Sequence, residues 1–258
     1  MRRALIGHTG FVGSNLLRRG GFDATFNSRN FRDLAGQHYD EVVCAGVSAA
    51  KWIANRAPEA DQAAIAALTD VVAQAAIGRF VLISTIDVYP DPSLAIDETT
   101  DPTGQPNHAY GVNRLALEAW VASRYPDHLI VRLPALFGPG LKKNALFDLL
   151  HNNQVDKINP ASSFQWYPVD RLSRDIATAA EAGLRLVNLF TEPVDTRTII
   201  DRHFPKARVG PPTQPAPRYG LRTRHGRHFG GDEHYMMAGE AVLASMADFI
   251  AAERRRAQ

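Results

Sequence analysis

One cysteine in 258 residues leaves no partner for an internal disulfide. No apolar run approaches the roughly 18 residues that a membrane-spanning helix needs. Charge of one sign is also lacking: 29 Lys and Arg stand against 27 Asp and Glu, so the chain as a whole has no electrostatic reason to bind a polyanion. There is no basic stripe interleaved with aromatics, and nucleic acid is not expected as a partner. In "MRRALIGHTG" the apolar stretch is interrupted at once by Gly7 and His8, which does not suit a signal peptide. Cys44, inside "EVVCAG", reads as a buried small hydrophobe rather than a nucleophile. His225 and His228 lack further ligands at metal spacing, so no metal is expected. These absences predict a soluble cytoplasmic chain with a small-molecule substrate and no membrane partner.

What is present is an ordinary globular balance, 45% hydrophobic and 22% charged. Short apolar runs at 4–6, 23–26, 41–45, 80–85, 129–133 and 186–190 alternate with segments of helical spacing at 11–19, 55–76, 110–124 and 170–182. That alternation predicts βαβ units and a parallel sheet, and the continuous Val/Ile/Leu character of several runs predicts strands covered on both faces. A last helix is expected within "AGEAVLASMADFIAAERRR", and the five prolines of 205–218 predict an extended connection.

The stretch "ALIGHTGFVGSNLLRR" places Gly7, Gly10 and Gly13 between the first strand and the first helix. Glycine at these points permits a tight turn, a close backbone approach to a pyrophosphate and close helix–strand packing, while the helix N-terminus offers free N–H groups. The second strand runs into Asn27, Ser28 and Arg29, with no acidic residue to hold ribose hydroxyls and with an arginine suited to a 2′-phosphate. NADP is therefore expected in preference to NAD.

Taken in order, "GHTGFVG" (7–13), "LISTIDVYP" (82–90), "AYGVNR" (109–114) and "VRLPALFGPG" (131–140) resemble the extended short-chain dehydrogenase/reductase superfamily, specifically its NAD-dependent epimerase/dehydratase family. The resemblance spans most of residues 1–190. It implies an α/β Rossmann-type, doubly wound parallel sheet forming a single domain over 1–258. A small C-terminal substrate-binding region, mainly 138–165 and 205–235, is implied with it. It also implies a cofactor groove made by Gly7, Thr9, Gly10, Phe11, Val12, Gly13, Asn27, Ser28, Arg29, Cys44, Ala45, Gly46, Ser84, Tyr110, Arg114, Pro134 and Leu136.

The family's hydroxyl–tyrosine–lysine constellation corresponds to Thr85, with Ser84 beside it, to Tyr110, and to Arg114, where the lysine is replaced. Tyrosine titrates near about pH 10, so it needs a neighbouring cation to act as a base at neutrality. Arg114, one helical turn from Tyr110, keeps that charge but cannot pass a proton. Asp87 lies two residues beyond Thr85. It would share a side with Thr85 if the strand continued, as a second base, or else would cap the turn. A further departure is Ala135, where many sugar-nucleotide enzymes of the family carry asparagine.

The resemblance thus implies an NAD(P)-dependent oxidoreductase, epimerase or dehydratase. It would move a hydride between nicotinamide and a hydroxyl or keto carbon of a polar, nucleotide-sugar-like substrate. The arginine in place of lysine keeps open a second reading, an NADP-binding sensor or interaction protein with little or no turnover. A homodimer through 55–76 and 110–124 is also implied. "RYGLRTRHGRHFGG" (218–231) reads either as an anion site for a substrate phosphate or as a solvated loop.

Overall fold

The computed structural model describes residues 1–256. In chain order its main elements are β1 (Arg3–Ile6), α1 (Phe11–Arg19), β2 (Ala24–Phe26), β3 (His38–Cys44), α2 (Lys51–Arg56), α3 (Pro58–Val72) and β4 (Ala76–Thr85). There follow α4 (Ala109–Arg124), β5 (His128–Leu133), β6 (Ala135–Phe137), α5 (Ala145–His151), β7 (Ser163–Phe164), β8 (Trp166–Pro168) and α6 (Leu172–Glu181). The chain ends with β9 (Leu186–Asn188), β10 (Val194–Asp195), α7 (Thr196–His203) and α8 (Gly239–Arg256).

Two compact units divide the chain. The first comprises 1–90, 101–132 and 173–187 and carries the central sheet, ordered β2-β1-β3-β4-β5-β9. β1 pairs in parallel with β2 and β3, and β3 in parallel with β4. Ala4, Leu5 and Ile6 are almost wholly buried, as an unbroken apolar strand covered on both faces should be. On one side of the sheet Phe80 stacks on Tyr125 with ring centroids 4.8 Å apart, joining β4 to the end of α4. The chain passes from β1 outward to β2 and then crosses back to β3, so the strand order reverses between β1 and β3. Ligands of such sheets lie outside the carboxyl ends of the strands at that reversal.

The second unit comprises 91–100, 133–172 and 188–258. Its core joins Phe137, Leu146, Trp166, Ile199, Val242 and Met246, contributed by β6, α5, β8, α7 and α8. Among the described residues no helix is long and apolar enough to cross a membrane.

The helix expected over 55–76 is two helices. Ala57 leaves the helical region (φ −136°, ψ 68°) and Pro58 starts α3. The proline ring excludes helical backbone from the residue before it but suits a helix's first position. α3 stops at Val72 because β4 already begins at Ala76. The strand bearing Thr85 does not continue to Asp87: residues 86–88 form a 3-10 turn capped by the Thr85 hydroxyl, which accepts the Asp87 N–H at 3.2 Å.

Candidate active site

The loop after β1 is built by exclusion. Gly7 has φ +88°, and a Cβ there would lie 2.3 Å from the Ala45 carbonyl oxygen. A Cβ on Gly13 would lie 2.0 Å from the Gly7 carbonyl oxygen. Gly10 differs: its nearest neighbour would be the Gly7 oxygen at 3.4 Å, an ordinary contact. Nothing in the protein requires glycine at position 10, so the bare backbone there leaves room for a group outside the chain. Gly10 caps α1 without any side-chain bond, and no acidic residue stands in the first turn. The first amides of the helix, over Phe11, Val12 and Gly13, are left for an anion. The residues present therefore fit a dinucleotide's pyrophosphate. Gly10→Ala is expected to melt within about 2 °C of the parent yet bind a dinucleotide at least about tenfold more weakly, whereas Gly13→Ala loses stability as well. Calorimetry and nucleotide fluorescence separate the two effects.

His8, which the sequence did not mark as a site residue, ties this loop to the end of β2. Its Nδ1 donates to the Phe26 carbonyl at 3.0 Å, which leaves Nε2 as the acceptor facing Asn27 Nδ2 at 3.5 Å. Asn27 also receives the Arg29 N–H at 2.8 Å, turning the chain so that Arg29 stands exposed. Ser28 and Thr9 are exposed as well. Ala45 and Gly46 follow β3 beside Gly7. The side chain of Cys44, named with this groove from the sequence, instead packs in the core, and burial pushes its thiol up to about 11. Ser84 is also turned elsewhere, donating its hydroxyl to Glu118. Pro134 and Leu136 belong to the second unit, Pro134 buried and Leu136 half-buried in β6.

Beyond β4, Thr85, Asp87, Tyr110 and Arg114 come together. Tyr110 opens α4, its N–H donating to Asn55 Oδ1 at 2.9 Å. His108 Nδ1 accepts the Gly111 N–H at 3.0 Å, and Asn107 Nδ2 donates to the Asp87 carbonyl at 2.9 Å. Behind them a buried network fixes β4 against α4. Arg132 donates to Glu118 at 2.6 Å and to the Tyr89 hydroxyl at 2.7 Å, and Glu118 accepts from Ser84.

The Arg114 guanidinium lies 4.4 Å from the centre of the Tyr110 ring. Its charge is already engaged: it donates to both Asp61 oxygens, at 2.7 and 3.0 Å, and to the Ser48 carbonyl at 2.6 Å. Desolvation pushes the Asp61 carboxyl up, but hydrogen bonds from Arg114 and Asn113 and the guanidinium's charge outweigh it and hold it below its ordinary value. The expected acid phenol is not found. Burial raises Tyr110 above its ordinary value; the Arg114 charge opposes this, while the Asp87 carboxylate adds to it and the bond with Thr85 lowers it only in part.

Asp87 is the hub of the cluster. Its Oδ2 accepts the Thr85 hydroxyl at 3.1 Å and its Oδ1 the Lys51 ammonium at 2.6 Å. His108 Nε2, the protonated nitrogen when the neutral ring accepts through Nδ1, lies 3.6 Å from the same oxygen. Lys51, His108 and Asp61 were missed because they sit 36, 21 and 53 residues from the groups they serve, Asp87 for the first two and Arg114 for the third. The one available signal was a lysine soon after β3, near the carboxyl end of the sheet.

In the second unit, 218–231 is anchored rather than loose. Glu98 accepts the Asn188 N–H at 2.7 Å, the Thr223 hydroxyl at 2.6 Å and the Arg224 N–H at 2.9 Å. Arg222 Nε is buried with no acceptor.

A parallel sheet reversing beside a glycine loop, with a buried tyrosine beyond its fourth strand, defines a protein of the Rossmann fold class. The profile of the NAD dependent epimerase/dehydratase family matches residues 23–162, more than half of the chain, and the chain belongs to that family. No curated protein matches it significantly in sequence. Among solved structures it is similar to UDP-glucose 4-epimerase with UDP-glucose from Thermotoga maritima (16% identity, 100% of both chains covered, TM-score 0.76). It is also similar to the dTDP-glucose 4,6-dehydratase DesIV with NAD bound from Streptomyces venezuelae (17% identity, 99% and 97% covered, TM-score 0.73). A third is RMD from Pseudomonas aeruginosa complexed with NADPH (18% identity, 98% and 100% covered, TM-score 0.72).

Proposed function

We propose that the protein is an NADP-dependent oxidoreductase, epimerase or dehydratase acting on a hydroxyl or keto carbon of a nucleotide-linked sugar. The observation that carries this reading is Tyr110, buried and hydrogen-bonded to Thr85, in a chain whose first loop leaves the space at Gly10 open. The amides of Phe11, Val12 and Gly13 hold the pyrophosphate, and the unpaired Arg29 takes the 2′-phosphate. A bound nicotinamide supplies the hydride acceptor or donor. Tyr110 exchanges the proton of the substrate oxygen, and Thr85 orients that oxygen. Arg114, fixed by Asp61 and Ser48, is a structural cation and ribose anchor rather than a proton carrier.

UDP-glucose is the ligand of the Thermotoga epimerase, and a sugar nucleotide suits the arginine-rich segment 218–231 here, where Arg222 has donors to spare for a phosphate. The second unit, which contains both 138–165 and 205–235, is on this reading the substrate-binding region. A homodimer through α3 and α4 belongs to the same proposal. The second reading, a binding module without turnover, is favoured by the pairing of Arg114 with Asp61.

The cofactor half is tested by titrating NADPH and NADH into the protein and into Arg29→Ala. The parent is expected to prefer NADPH, and the variant to lose about tenfold for NADPH and almost nothing for NADH. Equal binding of both by parent and variant sinks the NADP assignment, and no binding of either sinks the whole reading.

A further inference from the structure

We propose that Lys51 is a further residue of this site, a positioning cation that balances Asp87 and thereby governs when Tyr110 gives up its proton. The inference rests on the reading of Tyr110 as the proton carrier. The charged and titratable groups of the cluster come from several elements. From α4 comes Arg114, which favours the phenolate while paired with Asp61 of α3. From the turn after β4 comes Asp87, joined to the phenol's neighbour Thr85 at 3.1 Å. From the start of α4 comes the His108 ring, 6.3 Å from the Tyr110 ring. From α2 comes Lys51, 2.6 Å from Asp87.

A half-buried carboxylate beside a phenol opposes the phenolate by simple repulsion, and a cation on that carboxylate removes part of the repulsion. Arg114 acts on the phenol directly but is bound to Asp61, and the cation seated on the Asp87 carboxylate itself is Lys51. Its side chain is 42% exposed, so the pair stands at the rim of the cluster rather than within it. The position of Lys51 at the first turn of α2, directly after the loop from β3, is set by backbone and not by the tyrosine helix. The charge that sequence spacing places at position 114 is therefore joined by a second one from a different strand's loop.

The test needs neither cofactor nor substrate. The chain is grown with 3,5-difluorotyrosine, whose phenol titrates in a lower range, and the Tyr110 signal among the seven tyrosines is identified by fluorine NMR as the one absent from Tyr110→Phe. Lys51→Met is expected to raise the Tyr110 midpoint by about half a pH unit or more, and Asp87→Asn to lower it. Lys51→Arg should restore the parent midpoint, and Lys51→Met with Asp87→Asn should return close to it because both charges are gone. A purely structural lysine would not be rescued in this way. If Lys51→Met leaves the midpoint where it is, or if the arginine does not restore a raised one, the inference is overturned. The nucleotide titrations then still stand, since they report on the glycine loop and Arg29 and not on Lys51.

Discussion

Tyr110→Phe is expected to lower turnover by about 10²–10⁴-fold while leaving NADPH affinity within about twofold. The change removes one hydroxyl from a ring that is 6% exposed and keeps the ring's packing against Arg114. Nucleoside-diphosphate sugars offered with oxidised or reduced nicotinamide, followed by the absorbance of the reduced form, give the measurement. Direction matters as well. Because burial raises the phenol above its ordinary value, Tyr110 is protonated through the neutral range. Giving a proton to a carbonyl is then available at neutrality, whereas taking one from a hydroxyl should speed up as pH rises. An unchanged rate in Tyr110→Phe ends the enzyme reading and leaves the binding module.

Asp61→Ala should have the largest effect on stability. Asp61 and Arg114 face each other with side chains only 9% and 5% exposed. Removing the carboxylate strands a buried guanidinium, which costs about 3–5 kcal/mol. For a chain of this size that is a fall in Tm of roughly 6–20 °C, read by calorimetry. The sign with pH follows from the lowered Asp61 carboxyl. Its stabilisation is complete above the ordinary carboxylate range and is lost as pH falls through the depressed folded value. The gap between parent and variant should therefore narrow on acidification. A variant that melts within about 2 °C of the parent at neutral pH would show that the pair is not isolated from water.

Much of the first unit was legible because its signals are local. An unbroken run such as Ala4–Ile6 followed by glycines at a spacing of three can form little else than a strand and a tight turn into a helix. The division of 55–76 was equally written in the chain, since Pro58 forbids a helical Ala57. Elements after residue 135 were harder. α7, "TRTIIDRH", offers one adjacent Ile pair and no period, and its helix is stabilised by burying Ile199 and Ile200 in the second unit's core. For Asp87 the sequence left both a continued strand and a turn open, and it reaches Thr85 through a turn.

The sequence alone determined the main alternation of strands and helices in the first unit, the glycine loop and the presence of a tyrosine and an arginine one helical turn apart. Periodicity, backbone exclusion and helical pitch act over a few residues, so a linear reading captures them. Which charge answers which was decided only by the tertiary structure. Asp61 takes Arg114 from 53 residues away, and Lys51 meets Asp87 from 36. Coulomb forces and desolvation depend on distance through space and on burial, and neither is written in the spacing of the chain.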